Sequence, residues 1–500
     1  MAERKGVIML FNSYEFLIFF PIVCLFYYVI PKKCQQIWLL ITSYYFYMCW
    51  NAKYILLILF VTVVTYICGI LLGDFRDKKG EKRKIFVIVG FVLCLLLLFV
   101  YKYLNFFGNT CNFVFSQVGF NYRIRSFDII LPVGISFYTF QALSYLVDVY
   151  RGEVKIETNF VRFALFVSFF PQLVAGPIER SKNLLCQINE EHSFDYDRMR
   201  KGLLYMIWGF FLKLVIADRA AIYVDKVYAN PGGFGGEFAL LAAIYFSIQI
   251  YCDFSGYSCI AIGAAKVMGF SLMENFNHPY LSTSVEQFWR NWHISLTSWF
   301  RDYLYIPLGG NRKGKIRKYI NIMIVFLVSG LWHGAGWHFV VWGGLNGLYQ
   351  IVGEMLSGVK KVLLKLLGVR DNSKILNFFK IIFTCVLIGI SWIFFRSDSM
   401  NTAIVIIRNI LNIRVENIFE LRNVFKDVIS YKQSFVLILS IIVLLIADIL
   451  KKRNVDVIQI IINKKCPVRW FIYIFAIMFV LIFGVWGPEY SASSFIYFQF

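Results

Sequence analysis

The sequence predicts an all-α polytopic membrane protein, a helical bundle that includes re-entrant or interface-lying helices. Three observations predict it. Only 16% of the 500 residues are charged and 59% are hydrophobic, whereas soluble domains carry about 25% charged residues. Apolar runs close to the roughly 20 residues that cross a bilayer as a helix recur along the whole chain. The net charge of +21 is gathered between those runs, the pattern of cytoplasmic loops and not of a nucleic-acid footprint.

Taken in order, the expected membrane segments are Phe16 to Ile30, Ile37 to Trp50, Tyr54 to Leu72, Ile85 to Tyr101, Ile129 to Val147, Phe160 to Ala175 and Leu203 to Ala217. They continue with Phe238 to Tyr251, Tyr319 to Trp332, Phe339 to Leu356, Ile375 to Phe395, Phe435 to Leu450 and Trp470 to Trp486. Several are short enough to tilt or re-enter, which sets roughly ten to thirteen crossings within one membrane domain over residues 1–500. The first run lacks a strong basic flank and a small-residue cleavage site, so it reads as a retained helix. Basic clusters at Arg76 to Lys84, Arg312 to Lys318, Lys360 to Lys365 and Lys451 to Arg453, with Lys464, Lys465 and Arg469, belong to the cytoplasm. Counting outward from the last of these leaves residues 488–500 as an extracytoplasmic aromatic tail. The eleven cysteines are scattered, mostly in apolar runs and without a C-x-x-C pair, as small buried hydrophobes are.

One stretch, Glu274 to Arg317, breaks the apolar pattern with Trp, Arg and Asn. Read as a helix, Gln287 to Tyr305 brings Trp289, Trp292, His293, Leu296, Trp299, Phe300 and Tyr303 toward one face, with Arg290, Arg301 and Asp302 on or beside the polar side. It is either a plain interfacial anchor or part of a site.

Of five histidines, His333 stands in Ser329-Gly-Leu-Trp-His-Gly-Ala-Gly-Trp-His338 at the end of a membrane segment. An ionisable ring there is a functional candidate by default, and flanking glycines would let a substrate approach it. A core histidine satisfied by a carbonyl is the alternative. Desolvation keeps such an imidazole neutral and ready to take a proton from a hydroxyl, and acyl transfer needs little beyond that base, a thioester and oxyanion donors. His293 is a second acid/base or oxyanion donor, or else an interfacial histidine among tryptophans. His333 and His338, about 140° apart on one helix, do not form a metal pair, and no metal is expected. His192 and Asp197 have an H-x4-D spacing, but in a polar loop, and Gly232 to Gly236 is a flexible loop without a phosphate-binding context.

Met9-Leu-Phe-Asn-Ser13, Leu131-Pro-Val-Gly-Ile-Ser-Phe137, Phe170-Pro-Gln-Leu-Val-Ala-Gly-Pro177, Asp253-Phe-Ser-Gly-Tyr257, Glu274-Asn-Phe-Asn277, Phe288-Trp-Arg-Asn-Trp-His-Ile-Ser295, Arg301-Asp-Tyr-Leu-Tyr305, Leu308-Gly-Gly-Asn-Arg312 and Gly330-Leu-Trp-His-Gly334 follow in that order. Together they resemble the bacterial membrane-bound O-acyltransferases, nearest the branch that acetylates alginate and peptidoglycan, with teichoic acid D-alanyl transferases as shorter cousins. The resemblance implies a multi-pass enzyme of the bacterial plasma membrane, with a bundle thinned around a central tunnel. There a cytoplasmic acyl thioester, acetyl-CoA or acyl-carrier protein, meets an acceptor from outside, and no cofactor is bound.

The resemblance implies that His333 is catalytic and His293 its recurrent companion, with Asp253, Trp292, Trp332 and Asp302 as candidate substrate contacts. Arg290 and Arg301 are candidates for donor phosphates by charge and proximity. Cys259 stands where the family leads one to expect an acidic residue, which bears on acceptor binding. Implied partners are membrane lipid, a polysaccharide acceptor and an extracytoplasmic esterase-like acyltransferase, and not nucleic acid. The ending Phe495-Ile-Tyr-Phe-Gln-Phe500 resembles a motif whose tyrosine carries acyl, so Tyr497 is either an acyl relay or an aromatic-belt anchor. D-alanyl transfer, or a transporter of acyl groups or glycan precursors, are the alternative functions. Paired half-repeats that a transporter would show are not visible.

Overall fold

The computed structural model describes residues 9–74, 81–129, 131–173, 176–368, 370–371, 373–413 and 429–486. Tyr497 and the 488–500 tail lie outside them, as does the 76–80 part of the first basic cluster. The described residues form helices and connecting turns with no strand. Six helices among them are long and apolar enough to cross a membrane: Ala52–Gly73, Arg83–Gln117, Gly236–Val267, Lys374–Arg396, Tyr431–Lys452 and Cys466–Phe483. The protein is therefore an all-α polytopic membrane protein. Its outward faces bear many exposed Leu, Ile, Val and Phe side chains, such as Phe471 and Ile375, as a surface bathed in lipid tails requires.

The chain divides into two compact units, Met1–Met206 with Ile260–Met273, and Ile207–Cys259 with Glu274–Phe500. In the first, Ser13 accepts the Phe16 amide to start helix Tyr14–Val29, and Asn159 accepts the amides of Val161 and Arg162 to start Phe160–Ser168. Each satisfies donors the helix cannot. The Ile135–Arg151 helix is flanked by Gly134 and Gly152, both at φ 76°. Its start after Gly134, later than the apolar run suggested, follows from Pro132 and that left-handed turn. A Cβ on Gly69 would fall 2.7 Å from the Tyr145 ring, and one on Gly90 2.4 Å from Leu146. Small residues here let helices touch directly, which is how helices associate when no water is squeezed out between them.

The second unit holds Asp218–Ala229, reached through a π-helical turn at Phe211–Ala217, and a helical hairpin of Gly314–His333 and Trp337–Met355. It also holds the 236–259 part of helix Gly236–Val267, together with Ser357–Leu366, Lys374–Arg396, Met400–Leu411, Tyr431–Lys452, Val457–Ile462 and Cys466–Phe483. The expected continuous helix over Gln287 to Tyr305 is corrected. Helix Val285–Asn291 stops, Trp292 is extended (φ −110°, ψ 131°), His293 is left-handed, and a new helix runs Ile294–Phe300 before a π turn at Arg301–Tyr305. The residues grouped on one face are still covered together, with Trp289, Trp292, His293, Leu296, Trp299 and Phe300 buried and Arg290 and Arg301 exposed, but a break at two non-helical residues, and not a uniform helix, brings them there.

Candidate active site

His333 is the last residue of helix Gly314–His333, and helix Trp337–Met355 begins four residues on. His333 and His338 thus occupy different helices, so the 140° spacing computed for one helix does not apply. The nearby glycines have a packing use as well. A Cβ on Gly330 would lie 2.3 Å from the Phe339 carbonyl oxygen, one on Gly343 2.3 Å from the Phe326 carbonyl oxygen, and one on Gly334 2.0 Å from the Phe339 ring. Protein fills the space those glycines leave: Gly330 and Gly343 let the two helices cross closely, and Gly334 makes room for the Phe339 ring beside the turn. His333 itself is 4% exposed.

The His333 ring sits edge-on to Trp342 at 4.9 Å between centroids and against Phe395 at 5.3 Å, with Trp332 beside it at 4.9 Å. His293 faces it from the break in the polar stretch, 6.4 Å between ring centroids. An oxygen atom could bridge rings at that spacing with hydrogen bonds of ordinary length. His293 is 1% exposed, packs perpendicular to Phe254 at 4.6 Å and lies 6.0 Å from Trp332. It lies outside the six spanning helices, and burial pushes its imidazole well below its usual value, which makes the neutral ring the resident form near pH 7.

Buried aromatics hold both histidines. Trp292 stacks on Phe288 at 5.3 Å and meets Trp392 at 5.1 Å, while Trp289 lies perpendicular to Trp342 at 5.5 Å. The Trp289 Nε1 donates to Asn346 Oδ1 at 3.1 Å, and Asn346 Nδ2 donates to the Trp342 carbonyl at 2.8 Å. Asn346 is fully buried and drew no attention in the sequence, where it is one polar residue in an apolar helix.

Asp253 is buried, and its carboxylate pairs with Lys213 Nζ at 2.7 Å. Lys213 also pairs with Asp218 at 2.8 Å and lies 5.4 Å from the Tyr257 ring centre. The sequence reading missed Lys213, although a cation within an apolar run is itself a signal. Asp253 adjoins Phe254, the residue that touches His293. Cys259 on the same helix is partly buried.

Other candidates are not drawn in. Arg290 is exposed and paired with Glu286, and Arg301 is exposed and bonded to Asp302 at 2.8 Å, with Asp302 partly covered. His192 Nε2 lies 2.9 Å from the Gln187 carbonyl and its ring packs on Phe270, while Asp197 pairs with Arg200. That histidine and aspartate therefore have separate structural partners. Among the described residues no three His, Cys, Asp or Glu side chains gather as a metal site would require. What the two histidines offer is a pair of imidazoles, screened from water by aromatic rings, able to accept and donate protons.

Residues 26–396 match the family described as "MBOAT, membrane-bound O-acyltransferase family". The chain is 38% identical over 396 residues to the probable alginate O-acetylase of Pseudomonas aeruginosa, covering 79% of this chain and 73% of that protein. It is 30% identical over 438 residues to the peptidoglycan O-acetyltransferase of Helicobacter pylori, 81% of this chain and 80% of the relative. A teichoic acid D-alanyltransferase of Streptococcus thermophilus is 29% identical over 250 residues, 47% and 59% of the two chains.

Proposed function

Because the chain belongs to the membrane-bound O-acyltransferase family, we propose that it O-acetylates a cell-envelope polysaccharide, with His333 as the base that activates the acceptor hydroxyl. It is an acyltransferase of the membrane, and it uses an acyl donor. The finer reading is that the donor is a cytoplasmic thioester, acetyl-CoA or an acetylated carrier protein, reaching His333 through a tunnel within one membrane domain.

The observation that carries the proposal is the pairing of two buried imidazoles 6.4 Å apart, both packed against tryptophan. His333 accepts the hydroxyl proton as the acceptor oxygen attacks the thioester carbonyl. The new C–O bond forms, the C–S bond breaks, and the proton passes to the departing thiolate. His293 steadies the oxyanion by donating a hydrogen bond. In this reading Trp292 and Trp332 line the reacting groups, Asp253 acts through Phe254, and Arg290 and Arg301, the latter bonded to Asp302, offer their charge to a donor's phosphates. Tyr497 relays the group outward, and an extracytoplasmic esterase-like protein is the partner that completes transfer.

The test is acetyl incorporation into envelope polysaccharide by cells carrying wild type or His333→Ala at equal membrane abundance. Loss of at least about 100-fold is expected for a general base, and equal incorporation ends the proposal. D-alanyl transfer to teichoic acid is the second reading, favoured by the similarity to the Streptococcus thermophilus enzyme. Mass analysis of ester-linked groups released from the same cells by mild alkali separates the two.

A further inference from the structure

His293 has a main-chain conformation, φ 43° and ψ 52°, that non-glycine residues seldom adopt, and something must hold it there. It occupies the N-cap position of helix Ile294–Phe300 and makes no capping hydrogen bond with its side chain. At such a position Ser, Thr, Asp or Asn ordinarily takes the free amides of the first turn. Here the amides are met from a distant segment. Asn275 accepts Ile294 N–H on its main-chain oxygen at 3.0 Å and Ser295 N–H on its Oδ1 at 3.3 Å. Its Nδ2 donates to Ser258 Oγ at 3.1 Å, and both residues are buried, 1% and 2% exposed. Two residues on, the Asn277 amide donates to the Asn291 carbonyl at 3.0 Å, which ties down the other side of the break.

We infer that Asn275 is a positioning residue, a cap supplied in trans that fixes the backbone at His293 and frees the imidazole to face His333. The inference rests on the acyl-transfer reading for its kinetic consequence. The geometric consequence stands independently of turnover. The ring's Nδ1 lies 3.5 Å from Ser295 Oγ in the first turn; were His293 itself a capping residue, the ring would be drawn further, onto the first-turn amides and away from His333. Asn275 removes that need, while Ser258 sets the orientation of the Asn275 amide. A displacement of His293 of the order of an ångström is enough to cost a reaction about 100-fold.

Full-length protein in lipid nanodiscs carries the test, in wild type, Asn275→Ala, Asn275→Asp and Ser258→Ala, with His333→Ala as the activity reference. Turnover is read with radiolabelled acetyl-CoA and with acetyl-loaded carrier protein, and backbone exchange by hydrogen–deuterium mass spectrometry. Asn275→Ala is expected to lower kcat by about 10- to 100-fold with donor KM little changed, and to speed exchange at Ser295, whose acceptor it removes, and at Ile294, whose main-chain acceptor loses the side-chain anchor that holds it in place. Asn275→Asp, which still accepts from Ser295 and can receive the Ser258 proton, should recover most of kcat. Wild-type kcat in Asn275→Ala, or unaltered exchange at those two amides, would overturn the inference. So would a fall in kcat that Asn275→Asp does not relieve. If Asn275→Ala does not accumulate, Ser258→Ala decides: faster exchange at the two amides supports the clamp, and unchanged exchange sinks it. Full turnover by His333→Ala would instead defeat the functional reading and leave the exchange result standing.

Discussion

His293 carries a cost that its sequence neighbours do not announce. A non-glycine residue in the left-handed region gives up roughly 1–2 kcal/mol, and such strain persists only where the surroundings over-determine it. Here they do, through Phe254 packed perpendicular to the ring and the Thr297 amide bonded to the His293 carbonyl at 2.9 Å. If the ring donates to an oxyanion, His293→Ala should lower kcat by about 10²–10³-fold, and His293→Gln, which keeps an N–H donor, should recover part of it. Initial rates of acetyl transfer at saturating donor check this, and an Ala variant as fast as wild type removes His293 from the chemistry.

At the scale of elements, the hairpin of Gly314–His333 and Trp337–Met355 is held at a backbone-to-backbone crossing. Gly330 and Gly343 face each other there, the other's Cα lying 3.4 and 3.3 Å from where each one's Cβ would sit and a carbonyl oxygen closer still at 2.3 Å. Carbonyl oxygens cannot swing aside as a flexible side chain would, so even a methyl group must push the helices apart. Gly330→Ala is expected to destabilise the protein by about 1–3 kcal/mol through this overpacking, and to reduce activity because His333 lies three residues beyond. The measurement is the thermal unfolding midpoint in detergent, beside Gly353→Ala, where a Cβ meets nothing within 4 Å. Equal midpoints for the two variants would show that the crossing is looser than its geometry.

For the molecule as a whole, charge inside the bundle is the decisive quantity. Lys213, with 1% of its side chain exposed, lies between Asp218 and Asp253, and the π turn that carries it also offers the Leu214 carbonyl to the Val485 amide at 3.0 Å. Arg219 adds a bond of 2.7 Å to the Phe483 carbonyl. The last spanning helix, Cys466–Phe483, is thereby tied at its end to this part of the second unit. Lys213→Met leaves two buried carboxylates without their cation, and breaking a buried pair in that way costs about 3–5 kcal/mol. The expected result is loss of monodisperse protein on size-exclusion chromatography. Adding Asp218→Asn and Asp253→Asn to Lys213→Met should restore it, since carboxamides need no counter-charge. A single Lys213→Met variant of normal yield and midpoint would mean that water reaches the triad.

The sequence by itself determined that this chain dissolves in a bilayer, because apolar runs of spanning length leave no other way to cover so much hydrocarbon, and it determined which histidines to suspect. Those are local properties: a 3.6-residue period, a run length and a titratable ring in an apolar setting are all written in consecutive residues. Tertiary structure alone decided that the Gln287 to Tyr305 helix breaks at Trp292 and His293, that the glycines near His333 serve a helix crossing, and that Asp253 answers to Lys213. Each depends on a partner carried by another element, such as Phe254 for His293, Phe339 for Gly330 and Lys213 for Asp253. Backbone direction and the pairing of buried charges are set by what the fold brings alongside, and no window of neighbouring residues contains that information.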